Sequence, residues 1–177
     1  MINMIVNNVN LRKINEFVEQ GKKNKDILKK VIKLDGEWML DSSKGYQFRT
    51  ELAYENGKQV IEIDSPTWLG GSGNRLGPMA YCIAGIASCF MATFASIAAI
   101  KGIRLKRLTV SSNCTINFAK TFDVADEPIT EALNFEVNAE AENASREELN
   151  EVLRLAEDRC PAIYSMKNIV KTNVRLS

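Results

Sequence analysis

The 177-residue chain contains no histidine. Histidine is the usual general base near neutral pH and the commonest metal ligand in proteins. Its absence excludes a Ser-His-Asp triad, a Cys-His dyad and any zinc site that needs an imidazole. Chemistry at a site in this protein must therefore be carried by other side chains, and the four cysteines are the first candidates.

The sequence also has almost no excess of charge of either sign. Twenty-three Lys and Arg residues face 22 Asp and Glu residues, which leaves a net charge of +1. No overall field then attracts nucleic acid or an anionic membrane surface, and we expect neither as a partner. The start, MINMIVNNVN, lacks the basic and apolar regions of a secretory signal, so a cytoplasmic location is expected.

Charge is missing altogether from residues 79–100. Pro78 and Gly102 predict a helix between them, because proline suits a first helical position and glycine the residue after the last turn. The stretch is long enough to span a membrane. Seven of its residues are alanine, however, and the rest of the chain offers no comparable segment, so a helix buried in the core is the favoured interpretation.

The remaining pattern predicts an α+β fold. Residues from about 10 to 30 are polar with apolar residues at helical spacing, and we expect residues 1–30 to form an N-terminal helical appendage. Period-two segments within residues 31–64 predict three strands, and Asn56-Gly57 predicts a hairpin turn. After the long helix we expect two strands, a helix begun by the capping box of Ser145 and Glu148, a new helical turn PAIYSM begun by Pro161, and a closing strand NIVKTNVRL.

Spacing limits how the cysteines can pair. Cys82 and Cys89 are two helical turns apart, about 10 Å along the axis, whereas a disulfide needs Cα atoms within about 7 Å. A partner for Cys89 must be Cys114 or Cys160, and Cys160 is the better candidate because it lies at a helix junction. The helix beginning at Pro161 would favour a Cys160 thiolate at its N-terminus. Buried, inert cysteines remain the alternative.

Two longer runs carry a family resemblance. The run PTWLGGSGNRLGPMAYCIAGIASCF contains Cys89, and RCPAIYSMKNI contains Cys160. Together they resemble the OsmC/Ohr family of small thiol proteins, and the match covers about residues 30–177. For the domain at 31–177 the resemblance implies an intertwined homodimer, in which antiparallel sheets wrap two long central helices and active sites lie at the subunit interface.

The resemblance also implies a dithiol-dependent peroxidase. Cys89 would attack the O–O bond of an organic hydroperoxide and become a sulfenic acid. Cys160 would then condense with it to a disulfide, which a cellular dithiol would reduce. This route needs no metal and no other cofactor.

A peroxidatic thiolate needs a cation, and the family supplies an arginine from an early strand that a glutamate before the long helix holds. Arg49 lies near the corresponding place, although an ordinary exposed strand arginine fits the pattern equally well. The glutamate is missing, since Pro78 is followed by Met79 and Ala80. Either another acid holds Arg49, or peroxide reduction is weak and the fold serves another purpose.

The glycine-rich loop Gly70–Gly77 gives the alternative function. It runs from a strand to a helix N-terminus, an arrangement that can expose backbone N–H groups to a phosphate, with Arg75 as a possible partner. The alternative is thus a binding or redox-sensing protein for a phosphate-bearing or acyl-thioester ligand. A tight glycine turn is the simpler interpretation of the same loop.

Overall fold

The computed structural model describes residues 5–176 and confirms the α+β prediction. Every strand pair that it contains is antiparallel. In chain order the elements are β1 Ile5–Val6, β2 Val9–Asn10, α1 Leu11–Lys23, β3 Gly36–Trp38, β4 Phe48–Tyr54, β5 Gly57–Ile63, α2 Pro78–Ile100, β6 Leu105–Ile116, β7 Thr130–Ala141, α3 Arg146–Arg159 and α4 Pro161–Lys167.

The described chain divides into two compact units. Residues 5–16 and 86–176 belong to the first, and residues 17–85 to the second. The division of the sequence into an appendage at 1–30 and a domain at 31–177 stays a prediction.

The first unit is built on the long antiparallel β6–β7 ladder and the helices α2 and α3. The predicted capping box begins α3, because the Ser145 side chain accepts from the Glu148 N–H and the Glu148 side chain accepts from the Ser145 N–H. Phe94, Ala98 and Val152 lie at the centre of the core, with at most 1% of each exposed. All buried hydrophobic residues of the described chain fall in this unit, between residues 87 and 163.

The second unit holds the three-stranded sheet β3-β4-β5. Tyr54 pairs with Gly57 around the predicted Asn-Gly turn, so that hairpin is confirmed. The first predicted strand is much shorter than expected, since only Gly36–Trp38 pairs with β4. Residues 31–35 have the composition of a strand, but a strand also needs a neighbour to satisfy its backbone groups, and none pairs with them in the described chain.

The closing strand predicted at NIVKTNVRL is wrong for the described part of the chain. Residues 168–176 have no regular structure, and Ile169, Val174 and Leu176 are each more than 90% exposed. The alternating apolar residues give this segment a preference for extended backbone, and again no neighbouring strand pairs with it.

Helix α2 has the limits that Pro78 and Gly102 predicted, and Gly102 adopts a φ of 75° just beyond it. By length and composition α2 could cross a membrane, a property that it shares with core helices of soluble proteins. Its second half lies in the core of the first unit through Phe90, Phe94 and Ile97. The burial of this second half agrees with the interpretation of α2 as a core helix.

Candidate functional site

The structure brings Cys89 and Cys160 together. The two sulfurs are 3.6 Å apart, with the Cys160 thiol donating to the Cys89 sulfur, and both residues are free thiols. Cys89 is half-buried, whereas Cys160 is fully buried. Of the two partners that spacing left open for Cys89, the fold selects the one 71 residues away.

The backbone holds the two cysteines in different ways. Cys89 lies inside α2, where its carbonyl accepts a hydrogen bond from the Thr93 hydroxyl at 2.9 Å. Cys160 is the single non-helical residue between α3 and α4, with φ −71° and ψ 121°. Its N–H donates to the Ala156 carbonyl and its own carbonyl accepts from the Tyr164 N–H. Cys160 therefore ends one helix and begins the next.

Burial raises the pKa of the Cys89 thiol, and the neighbouring Cys160 thiol adds to that rise. A hydrogen bond from the Ala162 backbone N–H acts in the opposite direction. Because Pro161 has no N–H, Ala162 supplies the first free amide of α4. The Cys160 side chain makes no cap hydrogen bond to α4, and the Ala162 amide serves Cys89 instead.

The other two cysteines have different surroundings. Cys114 lies half-buried on β6, and its thiol donates to the neighbouring Thr115 carbonyl at 3.8 Å. Cys82 is exposed on the first part of α2, so a buried role for it is wrong. Both thiols are natural controls for chemistry at the Cys89–Cys160 pair.

Arg49 lies on β4 in the second unit, and its side chain is exposed. In the sheet register it stands opposite Glu37 on β3 and Glu62 on β5. Residues directly opposite in an antiparallel sheet project on the same face. Glu37 and Glu62 thus stand beside Arg49 in the register, and the Glu62 carboxylate binds Arg75 at 3.0 Å. Sequence reasoning missed both acids, although strand register from the Asn-Gly turn could have found Glu62.

The glycine-rich loop is closed around Asp64. The carboxylate of Asp64 is 1% exposed, and one of its oxygens accepts from the Ser72 N–H at 2.9 Å, the Ser72 hydroxyl at 2.5 Å and the Asn74 N–H at 3.3 Å. These hydrogen bonds, that of the Ser72 hydroxyl foremost, lower the pKa of Asp64 below its ordinary value. The amides of loop residues 70–74 are therefore already bound within the protein.

The same loop shows why glycine is needed in it. A Cβ on Gly71 would overlap the carbonyl oxygen of Ser65. Arg75, the expected phosphate partner, binds Glu62 instead through Nε and Nη2, both at 3.0 Å. The structure favours the tight glycine turn over the phosphate site. Asp64 itself was missed, and its signal was an acid placed just before a loop rich in Gly, Ser and Asn.

A largely apolar cavity of about 570 Å³ opens beside the cysteine pair's own helices. Phe90 of α2 and Ile163 of α4 line it, and these residues follow Cys89 and Cys160 closely in sequence. Phe135 of β7 stacks on Phe90 and forms another wall. Its rim carries the ion pair between Lys167 and Glu157. Nothing in the sequence had indicated a cavity here.

Comparison with solved structures shows a shared fold. An OsmC-like protein from Mycoplasma pneumoniae matches with a TM-score of 0.58 and 19% identity, over 79% of this chain and 89% of that one. The organic hydroperoxide resistance protein OsmC of Legionella pneumophila gives 0.54 and 17%, over 78% and 92%. An organic hydroperoxide resistance protein from Elizabethkingia anophelis, with thiocyanate bound, gives 0.54 and 18%, over 78% and 91%.

Among curated proteins no match was found. The family model described as OsmC-like protein matches residues 71–175, a range that includes α2 with Cys89, the β6–β7 ladder and the junction at Cys160. That range is more than half of the chain. With the fold, the paired thiols and this match in agreement, the chain belongs to the OsmC-like protein family.

Proposed function

We propose that this protein is a thiol peroxidase that reduces organic hydroperoxides with Cys89 and Cys160. The observation that carries the proposal is the 3.6 Å separation of the two free sulfurs, one half-buried and one fully buried. Structural neighbours named as organic hydroperoxide resistance proteins support the same class of activity. No histidine, metal or cofactor is required by the chemistry.

The reaction balances with these two thiols alone. The Cys89 thiolate attacks the distal oxygen of the hydroperoxide, the O–O bond breaks, and the alcohol leaves with a proton. The resulting sulfenic acid is attacked by the Cys160 sulfur, so an S–S bond forms and the oxygen leaves as water. A dithiol then reduces the disulfide by two successive thiol exchanges and is itself oxidised. The reducing cytoplasm suits this cycle.

The difference in burial between the two cysteines supports a different proposed role for each. The half-buried Cys89 is the sulfur that a substrate reaches first, and the Ala162 amide is placed to stabilise its thiolate. Cys160 is fully buried and therefore protected from direct oxidation by peroxide. A buried thiol at van der Waals distance from a sulfenic acid captures it before a second peroxide can.

Arg49 is proposed as the cation that favours the Cys89 thiolate. A positive charge is needed because burial raises the pKa of the Cys89 thiol. The family glutamate is replaced at Met79 and Ala80, and the acids opposite Arg49 in the sheet, Glu37 and Glu62, are proposed to orient the guanidinium instead.

The active assembly is proposed to be a homodimer. Ile32, Leu40 and Trp68 of the second unit are between 70% and 94% exposed, as is usual for surfaces that a partner covers. Helix α2 exposes Ala84, Ser88 and Ala92 at a spacing of four residues, and such small side chains allow two copies of a helix to pack closely. A two-fold contact between α2 helices would use one patch on both copies.

Peroxide consumption by single variants tests the proposal. In an assay with cumene hydroperoxide and a dithiol, Cys89→Ser is expected to abolish turnover, because the attacking sulfur is gone. Cys160→Ser leaves one round of oxidation and stops multiple turnover. Cys114→Ser is the matched control, since it removes a half-buried thiol from β6 and should keep full activity.

Mass mapping after mild peroxide treatment gives the second measurement. The expected product is a disulfide between the peptides that carry Cys89 and Cys160. Unchanged turnover in Cys89→Ser, or oxidation that spares both cysteines, would show that the protein is not this kind of peroxidase.

A further inference from the structure

Helix α4 is the least anchored element next to the thiol pair. It has seven residues and begins directly after Cys160. Ile163 is its buried residue, whereas Tyr164 and Met166 are 57% and 60% exposed. Helix α3, on the other side of Cys160, is held in the core by Val152 and Ala156, both fully buried. If the junction at Cys160 moves, α4 is therefore expected to move and α3 to stay in place.

The space next to α4 allows such movement. The cavity of about 570 Å³ has Ile163, Met166 and Lys167 of α4 along one side and residues of β7 along the other. Dense packing resists displacement, whereas a helix that borders a cavity can shift without overlapping its neighbours. One ion pair, between Lys167 and Glu157, ties the end of α4 to α3.

Disulfide formation requires the two sulfur atoms to move closer together. The sulfurs must approach from 3.6 Å to about 2.05 Å. Cys89 sits inside a 23-residue helix with Phe90 and Phe94 in the core beside it. Cys160 has extended backbone, and its backbone groups make one hydrogen bond to α3 and one to α4. The closing movement must come from the Cys160 side.

We propose that α4 is a redox-responsive element, which packs against the thiol pair in the reduced protein and loosens when Cys89 and Cys160 join. Oxidation pulls Cys160 toward α2 and removes the thiolate that the Ala162 amide can bind, because a disulfide sulfur is a weak acceptor. Two thiols lose two electrons and two protons in this step, to a hydroperoxide in the cell. The proposal rests on the disulfide of the proposed function and not on peroxide turnover.

Amide hydrogen exchange of the full chain tests this element. The protein is compared in the dithiol-reduced state and after oxidation with diamide, which takes up the two electrons and two protons, and the disulfide is verified by mass. Amides of residues 162–168 are expected to exchange about tenfold faster in the oxidised protein. Amides within residues 149–156 of α3 serve as the internal standard and should keep their protection.

Two variants control the measurement. Cys160→Ser treated with diamide should show no change in α4, whereas Cys114→Ser should behave as the unaltered protein does. If the disulfide forms and α4 keeps its protection, or if diamide yields no such disulfide, the proposal is wrong. If α4 loosens on oxidation in a protein that consumes no peroxide, the proposal for α4 holds and only the proposed peroxidase function is wrong.

Discussion

Asp64 and Cys89 are acidic groups whose pKa values shift in opposite directions. Each accepts at least one backbone N–H hydrogen bond. Asp64 is 1% exposed, yet its pKa is lowered, because the Ser72 hydroxyl and the loop amides bind its carboxylate. Cys89 is more exposed, yet burial raises its pKa, since the single Ala162 amide only partly offsets the cost. The number of donors, and not burial alone, decides the direction in which each pKa shifts.

The source of the donors differs as well. Those of Asp64 come from its own loop, eight to ten residues away in sequence. The amide that serves Cys89 comes from α4, which starts more than seventy residues later. Local donors are fixed as soon as the loop forms, whereas a distant donor depends on how α4 packs. The hydrogen bonds to Asp64 thus depend only on its own loop, whereas the hydrogen bond to Cys89 depends on the position of α4.

The largest effect is expected for Asp64→Ala. The substitution leaves the partly buried N–H groups of Ser72 and Asn74 without their acceptor, so the loop before α2 loses its organising contacts. The melting temperature should fall by several degrees in a thermal scan. Asp41→Ala is the matched control, because exposed Asp41 accepts from the Ser43 N–H and water can replace it. Equal decreases in melting temperature in the two variants would show that the donors around Asp64 have no special importance for stability.

The substitution Arg49→Ala tests what sets the pKa of the Cys89 thiol. If Arg49 favours the Cys89 thiolate, its removal should slow the alkylation of Cys89 by iodoacetamide severalfold at neutral pH and move the midpoint of the pH profile upward. Arg107→Ala, which removes another exposed strand arginine, should leave the profile unchanged. A profile that is the same in all three proteins would show that burial and the Ala162 amide set the thiol's charge without Arg49.

The smallest effect is expected for Ser72→Ala, which takes one donor from Asp64 and keeps the amides. The pKa of Asp64 is lowered in the folded protein. Its carboxylate therefore stabilises the fold at pH values above its ordinary pKa of 3.8, and this contribution is lost as the pH falls through the folded pKa. The variant's Asp64 should titrate nearer 3.8. Urea unfolding should show a deficit at neutral pH that shrinks in acid, and a deficit independent of pH would contradict this.

Much of this architecture was predictable because its signals are local. The Asn56-Gly57 turn, the capping box at Ser145 and the limits of α2 at Pro78 and Gly102 each follow from a few adjacent residues. The two cysteine contexts led to the family, and the family implied the pair that the fold brings together.

The errors fall where structure depends on distant residues. Residues 31–35 and 168–176 have strand composition, but composition does not supply a neighbouring strand. The N-terminus of the helix at Pro161 was expected to serve Cys160, although its Ala162 amide binds Cys89. Asp64 was overlooked because an acid before a loop is common, and only the folded loop shows its three donors converging on one oxygen.

The distance along the chain between Cys89 and Cys160 has a consequence beyond catalysis. A bond across 71 residues would close a large loop in the unfolded chain and reduce its conformational entropy, which corresponds to about 4 kcal/mol of added global stability. The oxidised protein would then unfold less readily as a whole while its α4 opens more readily. Resistance to complete unfolding and local mobility would thus rise together, set by one chemical bond.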